Sequence, residues 1–385
     1  MENIECPQCL LKNYKTIYTY NCDAGLILGK IEVVNVMCEN CGFVYMNPRP
    51  DKSLIAEHYK SQSSGNTYHE MSDNSRHDIL TKERKDFIES HIKITNGKVI
   101  DIGCGQGQLL KELDLPDLIK HGLDPSQTNQ DVIEKKINFF SGFIEDYKNV
   151  DNDYDIVICI SSLEHYYDPR FAVEIFSNII KDKGLLFVEI PDSLRPISQI
   201  SEFYSFEHLS HFTHYTISKL LGLYNFQIIA IDENVSIPNI RLVAKKTEGK
   251  INNLFTDDRK KLISTIQKYK NKRKAIFNKI DSKIIPPIKK LKENNKKIGI
   301  YGAGIHTNFL LDNFDIIDLI SVFIDSDPDK WGTSFHNLKI HSPEEINELD
   351  IGGILISSHD YEMEIFDTIN KYNVKNIPII KCYND

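Results

Sequence analysis

The sequence predicts an α/β protein in which a seven-stranded, doubly wound sheet follows a small β module and precedes a second α/β domain. Three observations predict this class. An apolar strand runs into closely spaced glycines at 99–110, two C-x-x-C pairs lie near the N-terminus, and another strand and glycine turn begin at residue 298. We expect the following boundaries: 1–71 for the β module, 72–250 for the sheet domain, 251–295 for a linker and 296–385 for the last domain.

Length, charge and hydropathy limit the class of protein. The chain has 385 residues and a formal net charge of −9, which predicts about two to four domains and no general affinity for nucleic acid. We find no signal peptide and no apolar run that is long enough to span a membrane. We therefore expect a cytoplasmic protein with a small-molecule partner, as a monomer or a weak homo-oligomer.

Four of the eight cysteines form two pairs, Cys6–Cys9 and Cys38–Cys41. Each pair can lie on a tight turn, and four thiolates then complete a tetrahedral zinc site with no open position, which would make the zinc structural. A redox role fits less well, because one pair would suffice and no thioredoxin-like βαβ unit surrounds it. The residues between the pairs predict a β-hairpin within 16–37.

The stretch VIDIGCGQGQLL (99–110) predicts a buried parallel strand, a glycine turn and a helix. Gly103, Gly105 and Gly107 alternate where a ligand must touch the backbone, because a Cβ atom would push it away. The spacing does not fit the dinucleotide fingerprint G-x-G-x-x-G, since Gln108 takes the place of the third glycine. The stretch is therefore typical of the first unit of a nucleotide-type α/β sheet that lacks the dinucleotide fingerprint.

An acid two residues before G-x-G-x-G, here Asp101, resembles the pattern of class I methyltransferases that use S-adenosylmethionine (AdoMet). The resemblance implies a Rossmann-like, seven-stranded core and places Asp101 near the amino-acid end of the cofactor. Asp124 follows 23 residues later at the end of a second apolar run, where a ribose-binding carboxylate belongs. Pro125 comes next and is a further cofactor-binding candidate.

Other candidates follow predicted strand ends, where open α/β sheets carry their sites. The family places adenine-edge contacts near Glu145. Ser161 and His165 are cofactor-binding candidates because they follow the end of a predicted strand. Glu164 and Asp192 are substrate-binding candidates, although Glu164 is equally expected to cap the next helix. The remaining predicted strands are 137–140, 154–160, 185–190, 226–231 and 240–245, with the last two antiparallel.

A four-cysteine module followed by N-P-R-P (47–50) resembles a bacterial family that includes nucleotide-sugar C-methyltransferases. In that family the zinc module covers the substrate end of the core. The family carries Y-H-E-H-L-S-Y-F-S where this chain has SFEHLSHFT (205–213). Glu207 and His208 match, whereas a serine replaces the tyrosine and Tyr204 lies one residue before it.

The resemblance implies that His208 is a general base and that Glu207 orients it or binds a sugar hydroxyl, with Tyr204 as a third catalytic candidate. A methyl group leaves a sulfonium by in-line displacement, so catalysis is largely alignment plus proton removal. Of the family's later G-G-S-L-R, only Arg241 is kept, as a substrate-binding candidate. A packed, structural histidine stays an alternative for His208, and His211 is expected to be structural.

The segment 259–297 contains fifteen Lys or Arg and two acidic residues. Its apolar residues predict a basic amphipathic helix over 256–280, and Pro286 and Pro287 are expected to end the region. Two interpretations stay open: a solvated connection, or a positive wall that attracts the diphosphate of a nucleotide sugar.

The last domain begins with IGIYGAGIHTN (298–308). Gly302 and Gly304 match the first two glycines of a dinucleotide fingerprint, but Thr307 replaces the third. The nucleotide-sugar family ends in a similar Rossmann-like domain that helps to form the sugar-nucleotide cleft. The resemblance therefore makes the two glycines substrate-binding candidates, and we expect no nicotinamide here.

Together, the sequence predicts an AdoMet-dependent methyltransferase with structural zinc that acts on a nucleotide-linked sugar in deoxysugar or surface polysaccharide biosynthesis. C-methylation is slightly favoured over O-methylation. Two other classes stay open: a non-catalytic sugar-nucleotide-binding or scaffold protein that retains the fold, and an NAD(P)-dependent sugar-nucleotide oxidoreductase that uses the last domain.

Overall fold

A computed structural model describes most of the chain, in the ranges 1–63, 74–94, 96–115, 117–125, 136–147, 153–197, 202–249, 251–252, 255–294, 296–359 and 361–383. Two compact units are formed: Met1–Pro196 with Tyr204–Ile266, and Ile197–Phe203 with Gln267–Asp385. Within these ranges, no helix is both long and apolar enough to cross a bilayer.

The first unit contains two sheets and six helices within the ranges given above. Its strands are β1 (Tyr14–Asp23), β2 (Lys30–Cys38), β3 (Val44–Met46), β4 (Gly97–Ile102), β5 (Leu118–Asp124), β6 (Ile137–Ser141), β7 (Tyr154–Ile160), β8 (Ile180–Pro191), β9 (Ser210–His211), β10 (Phe226–Ile231) and β11 (Asn239–Lys246). Its helices are α1 (Gly25–Leu28), α2 (Lys52–Ser63), α3 (Asn74–His91), α4 (Gln108–Glu112), α5 (Pro169–Ile179) and α6 (His214–Gly222).

The large sheet has the order β10-β11-β8-β7-β4-β5-β6, with β4 among the parallel strands and β10, β11 and β8 paired antiparallel. Successive residues of β4 enter different apolar clusters: Val99 packs in one, and Ile100 and Ile102 pack in the other. Burial on both faces explains the unbroken apolar runs. The predicted seven-stranded sheet with an antiparallel last pair is confirmed.

The smaller sheet has the order β1-β2-β3-β9. The predicted hairpin is formed by β1 and β2, whose register runs from Tyr14 opposite Cys38 to Asp23 opposite Lys30. The fourth strand, β9, follows the last parallel strand of the large sheet in the chain. The cysteine module is therefore completed by a strand from the segment that carries Glu207 and His208.

The four predicted zinc ligands lie together. Cys6 Sγ and Cys41 Sγ are 3.5 Å apart, as are Cys9 Sγ and Cys38 Sγ. All four sulfurs lie within 4.8 Å of one another. Zinc–sulfur bonds of about 2.3 Å in a tetrahedron separate the sulfurs by about 3.8 Å, so the arrangement fits such an ion.

The second unit contains a six-stranded sheet of order β14-β15-β13-β12-β16-β17, in which only β14 and β15 pair antiparallel. Its strands are β12 (Ile298–Tyr301), β13 (Ile320–Ile324), β14 (Ser334–Phe335), β15 (Leu338–His341), β16 (Gly353–Ile356) and β17 (Ile379–Lys381). The later helices of the chain are α7 (Arg259–Lys279), α8 (Ile285–Glu293), α9 (Ile305–Asn313) and α10 (Glu362–Tyr372).

The basic helix is predicted over 256–280, and α7 ends at Lys279. Pro286 and Pro287 were expected to end the basic region, but they lie in the first turn of α8. A π-helical turn, Ile280–Ile284, follows α7 and leads into α8 without a break. The helical path therefore continues through the two prolines.

Candidate functional site

The glycine turn lies at the carboxyl end of β4. Gly103 has a φ of 85°, and a Cβ atom there would lie 2.0 Å from Ser162 Oγ. Gly105 has a φ of 53°, and no atom of the described residues lies within 4 Å of the place where its Cβ would be. Gly107, at a φ of 74°, leads into α4. The turn thus leaves open space against the backbone where the sequence predicts a ligand.

Asp124 joins the turn to the end of β5. Its Oδ2 accepts a hydrogen bond of 2.9 Å from the Gly105 N–H. The N–H groups of Gly103 and Cys104 both donate to the Leu123 carbonyl, at 2.7 and 3.1 Å. The predicted ribose acid and the glycine turn are therefore fixed to each other. Pro125 directly follows at the edge of the described residues.

Asp101, at the end of β4, is 4% exposed, and its Oδ1 is buried with no hydrogen-bond partner among the residues that the structure describes. Burial raises the pKa of this carboxyl to about 7, against the opposing effect of the Arg84 charge. Buried polar atoms are seldom left unpaired in folded proteins. An unpaired carboxylate oxygen beside the turn indicates a place for a ligand that donates hydrogen bonds or carries positive charge.

A second buried acid follows β7. Glu164 is 2% exposed, and burial raises its pKa. Within the described part of the chain, its buried Oε2 has no hydrogen-bond partner. Its Oε1 lies 3.9 Å from His165 Nε2. Ser161, at a φ of 49°, starts this loop, and its N–H donates to the Glu189 carbonyl. Glu164 does not cap the next helix, α5. Asp168 is its N-cap and accepts hydrogen bonds from the N–H groups of Arg170 and Phe171.

His165 has a defined orientation. Its Nδ1 lies 3.0 Å from the Glu207 carbonyl oxygen and 3.0 Å from the Tyr59 hydroxyl. Because a carbonyl only accepts, Nδ1 carries a proton and Nε2 faces Glu164 Oε1. The rings of His165 and His208 lie 4.8 Å apart, edge to face.

The predicted catalytic pair therefore lies among other titratable groups. A side-chain ligand atom from each of Glu164, His165 and His208 lies within 4.8 Å of the other two. Glu207 Oε1 faces His58 Nε2 at 3.5 Å. Residues predicted separately for cofactor, substrate and catalysis are thus adjacent, which suits proton transfer.

Tyr204 is fully buried, and its ring lies 5.6 Å from that of Tyr18 and 4.9 Å from that of His211. Burial lowers the pKa of His211 to about 3, so this ring is neutral. The predicted structural role of His211 agrees with its hydrogen bond of 2.9 Å to Asn35 Oδ1.

Two substrate-binding candidates have partners within the protein. Asp192 accepts from the Arg195 side chain and from the Leu194 N–H, both at 2.9 Å. Arg241 donates to Glu189 at 2.6 Å and to Asp232 at 2.8 Å.

Arg84 also donates to Glu189, and Arg84 and Arg241 together lower the pKa of that carboxyl against the effect of burial. Arg241 therefore belongs to a buried ion network, and a structural role accounts for it. Arg84 is close enough to lower the pKa of both Asp101 and Glu164.

The cofactor candidate Glu145 lies in a short 3₁₀ turn, Ile144–Asp146, and its carboxylate is 3.5 Å from Lys52 Nζ. In the second unit, Gly302 has a φ of 108° and Gly304 precedes α9. Between them, the Ala303 N–H donates to Asp325 at 2.8 Å, and Lys330 Nζ lies 3.2 Å from the same oxygen. Asp325, which directly follows the second parallel strand of this unit, is therefore paired with a lysine of the same unit.

Sequence reasoning missed three contributors to the site. His58, Arg84 and Asn35 reach it from α2, α3 and β2. No local pattern distinguishes them, since their partners lie more than 100 residues away. Tyr59 also reaches the site, because its hydroxyl lies 3.0 Å from His165 Nδ1.

Comparison with known proteins agrees with this geometry. Residues 75–231 match the profile of a family described as "Methyltransferase domain", and 294–380 match one described as "C2185-like, N-terminal". A ubiquinone biosynthesis O-methyltransferase from Chromobacterium violaceum is 32% identical over 112 residues, covering 27% of this chain and 48% of that protein. Its namesake from Coxiella burnetii is 30% identical over 116 residues, covering 28% and 50%.

The chain thus spans about half the length of these curated relatives. Among solved structures, the 1,6-didemethyltoxoflavin-N1-methyltransferase of Burkholderia thailandensis is 13% identical, with a TM-score of 0.43 over 55% of this chain and 98% of that one. The family profile and the strand order lead to one conclusion: residues 75–231 are a methyltransferase domain, on a sheet of the class I AdoMet-dependent type.

Proposed function

We propose that this protein transfers a methyl group from AdoMet to a nucleotide-linked sugar. The observation that carries the proposal is the glycine turn, with open space over Gly105 and a buried, unpaired oxygen on Asp101. AdoMet, when bound, supplies an electrophilic methyl group on a sulfonium and a cationic amino group. Asp101 would accept from that amino group, and Asp124 from the ribose hydroxyls.

The remaining cofactor-binding residues follow from position. Gly103, Gly105 and Gly107 admit the ligand to the backbone, and Pro125 and Glu145 are proposed for the nucleoside side. Ser161 and His165 would close the side next to β7. None of these residues needs to react, because the protein's task in methyl transfer is to hold the acceptor in line with the carbon–sulfur bond.

His208 is proposed as the group that takes the acceptor's proton. The acceptor is either a carbon next to a carbonyl group or a hydroxyl oxygen. Each must lose a proton as it forms its bond to the methyl group. His208 lies beside His165 and Glu164, and Glu207 is available to bind a sugar hydroxyl or to orient the base. Tyr204 would act by packing, since it is fully buried.

Two features favour a sugar as the acceptor. Glu207 and His208 match the pair in the nucleotide-sugar C-methyltransferases, and the cysteine module shares a sheet with the segment that carries them. The names of the curated relatives favour a second candidate, O-methylation of a hydroxylated aromatic ring. Asp192, Arg241, Gly302 and Gly304 stay substrate-binding proposals, with the internal partners described above.

We further propose that the four-cysteine cluster holds a structural zinc ion. The hydrogen bond from Cys6 lowers the pKa of Cys41 to about 6, whereas burial raises that of Cys38 to about 11. Without a cation, the cluster therefore keeps part of its protons; a divalent ion would displace them. Four thiolates leave no open position for catalysis.

The first prediction concerns cofactor binding. Gly105→Ala should weaken AdoMet binding at least about tenfold, because the new methyl group enters the ligand's space. Calorimetric titration with AdoMet measures it. Gly29→Ala is the matched control, since Gly29 also has a positive φ and no atom within 4 Å of its Cβ position. Equal affinities for the two variants would contradict the proposed binding turn, and no heat with the wild type would favour the scaffold alternative.

The second prediction concerns the buried acid. Because the folded-state pKa of Asp101 is raised to about 7, the ligand-free protein loses stability as pH rises from about 4 to 7. Asp101→Asn should therefore melt at a higher temperature than wild type at pH 8, with the gap closing as pH falls toward 4. Differential scanning fluorimetry measures it, with exposed Asp86→Asn as control. A gap that is constant across this range would be inconsistent with a buried charge.

The third prediction concerns the metal. Cys38→Ala should lose its zinc, measured by elemental analysis of the purified protein, because three thiolates leave the tetrahedron incomplete. Cys22→Ala, outside the cluster, should keep about one zinc per chain. The metal assignment fails if Cys38→Ala retains the wild-type content.

The fourth prediction tests catalysis. The wild type is assayed by mass spectrometry with AdoMet and two acceptor panels: nucleoside-diphosphate 4-keto-6-deoxysugars and dihydroxylated benzenoids. His208→Ala should lose turnover at least about a hundredfold and keep AdoMet affinity. Full activity would reject the base, and turnover of the benzenoids alone would establish the second candidate. Reduction of the keto sugars by NAD(P)H would instead identify the oxidoreductase alternative.

A further inference from the structure

One buried amide holds both ends of the segment that carries Glu207 and His208, defined here as the Glu–His segment (residues 204–211). Asn35 lies in β2 and is fully buried. Its Nδ2 donates to the Tyr204 carbonyl at 3.2 Å, and its Oδ1 lies 2.9 Å from His211 Nε2. The two partners are the first and last residues of the segment, so a single side chain closes the loop.

The partners leave the amide one orientation. A carbonyl oxygen only accepts, so the NH₂ group of Asn35 must face Tyr204 and its oxygen must face His211. His211 then carries its proton on Nε2. The ring is neutral, because burial lowers its pKa to about 3. A neutral amide therefore matches both partners, which a carboxylate cannot do, since its second oxygen would oppose the Tyr204 carbonyl.

Backbone pairing also fixes the C-terminal end of the Glu–His segment to the cysteine module. Val44 pairs with His211 and Tyr45 with Ser210, between β3 and β9. The Met46 N–H donates to the Leu209 carbonyl at 3.0 Å. Between these anchors, the Glu207 carbonyl meets His165 Nδ1. The segment is therefore held at its ends by the module and at its middle by the methyltransferase domain.

The cysteines connect these anchors. Cys38 ends β2, three residues after Asn35, and Cys41 precedes β3 by three residues. The turn between the strands is closed by hydrogen bonds from the Cys38 N–H to the Phe43 carbonyl and from the Gly42 N–H to the Cys38 carbonyl. The two sulfurs of this turn are half of the proposed zinc site. The position of Asn35 thus depends on a turn that the proposed zinc ion would also hold.

We propose that Asn35 is a positioning residue that aligns His208 for proton transfer, and that it makes the four-cysteine module a working part of the active site. The inference rests on the proposed function for the role of His208. Asn35 acts through the Tyr204 carbonyl and His211. Its loss lets the Glu–His segment move and leaves AdoMet bound as before, because the glycine turn and Asp124 are untouched.

The first experiment needs no acceptor. Amide hydrogen exchange, read by mass spectrometry on the zinc-loaded, AdoMet-bound protein, compares wild type with Asn35→Leu, which removes both hydrogen bonds. We expect exchange in 204–211 to rise at least about tenfold while the calorimetric AdoMet affinity stays within about threefold. Asn47→Ala is the matched control: this buried asparagine of the same module bonds the Ile4 N–H and should leave exchange in 204–211 at the wild-type rate.

Unchanged exchange in 204–211, or an equal rise throughout the first unit, would overturn the proposal. If Asn35→Leu fails to bind AdoMet with full stoichiometry, Asn35→Asp and His211→Phe take its place. The first removes the hydrogen bond to the Tyr204 carbonyl, and the second removes the hydrogen bond to His211. Chelation of zinc from the wild type should raise exchange in the same segment, and Zn²⁺ alone should restore it. Exchange that is insensitive to zinc would remove the module from the proposal.

The second experiment uses whichever acceptor the wild type methylates. Asn35→Leu should lower kcat at least about tenfold and change the KM for AdoMet by less than about threefold. Asn35→Asp should retain more activity than Asn35→Leu and shift the pH profile, because it places a carboxylate beside His211. A kcat that falls only in proportion to the folded fraction would show a merely structural role. If the wild type methylates no acceptor, the proposed function is refuted. The exchange experiment still shows whether Asn35 holds the Glu–His segment.

Discussion

The backbone pairing between β3 and β9 is the interaction on which the candidate site depends. It covers two residue pairs and one adjoining hydrogen bond, yet it joins residue 44 to residue 211. Without it, the Glu207–His208 stretch would be a long surface connection with many conformations, and ordering it would cost conformational entropy at every turnover. Because the pairing forms when the protein folds, this entropy is lost during folding, and the site is ordered before a substrate binds.

Two buried acids of the site, Asp101 and Glu164, differ from this ordered segment in their electrostatics. Asp101 and Glu164 each keep one buried oxygen with no hydrogen-bond partner, and burial raises the pKa of both. Arg84 lowers both pKa values from α3 and is itself held by Glu189. A region arranged in this way destabilises the ligand-free protein and strengthens electrostatic contacts to a bound cation, because water is excluded.

Much of the fold could be predicted from local patterns. The strands 154–160 and 226–231 and the helix from Pro169 begin and end where apolar runs and capping residues place them, because burial on one or both faces leaves a clear period. Asp124 was predicted from the position of a strand end, and the structure places it against Gly105. The cysteine cluster followed from spacing alone.

The partners of polar side chains could not be predicted in this way. Asn35 stands between two valines of a strand, and nothing within ten residues shows that it bonds residues 204 and 211. Arg241 is a substrate-binding candidate because a motif arginine is kept, and no local pattern predicted its ion pairs with Glu189 and Asp232. Pro286 and Pro287 were expected to end the basic region. The structure has both in α8, after a π-helical turn that no residue pattern predicted.

The unpaired oxygen of Asp101 has a consequence for the lifetime of the protein in the cell. A ligand that binds only the folded state stabilises it in proportion to the logarithm of ligand concentration over Kd. Proteases degrade the unfolded population, so small changes in stability alter abundance severalfold. If AdoMet relieves the buried charge, the folded fraction of this protein, and with it the protein's resistance to proteolysis, would rise with the AdoMet concentration.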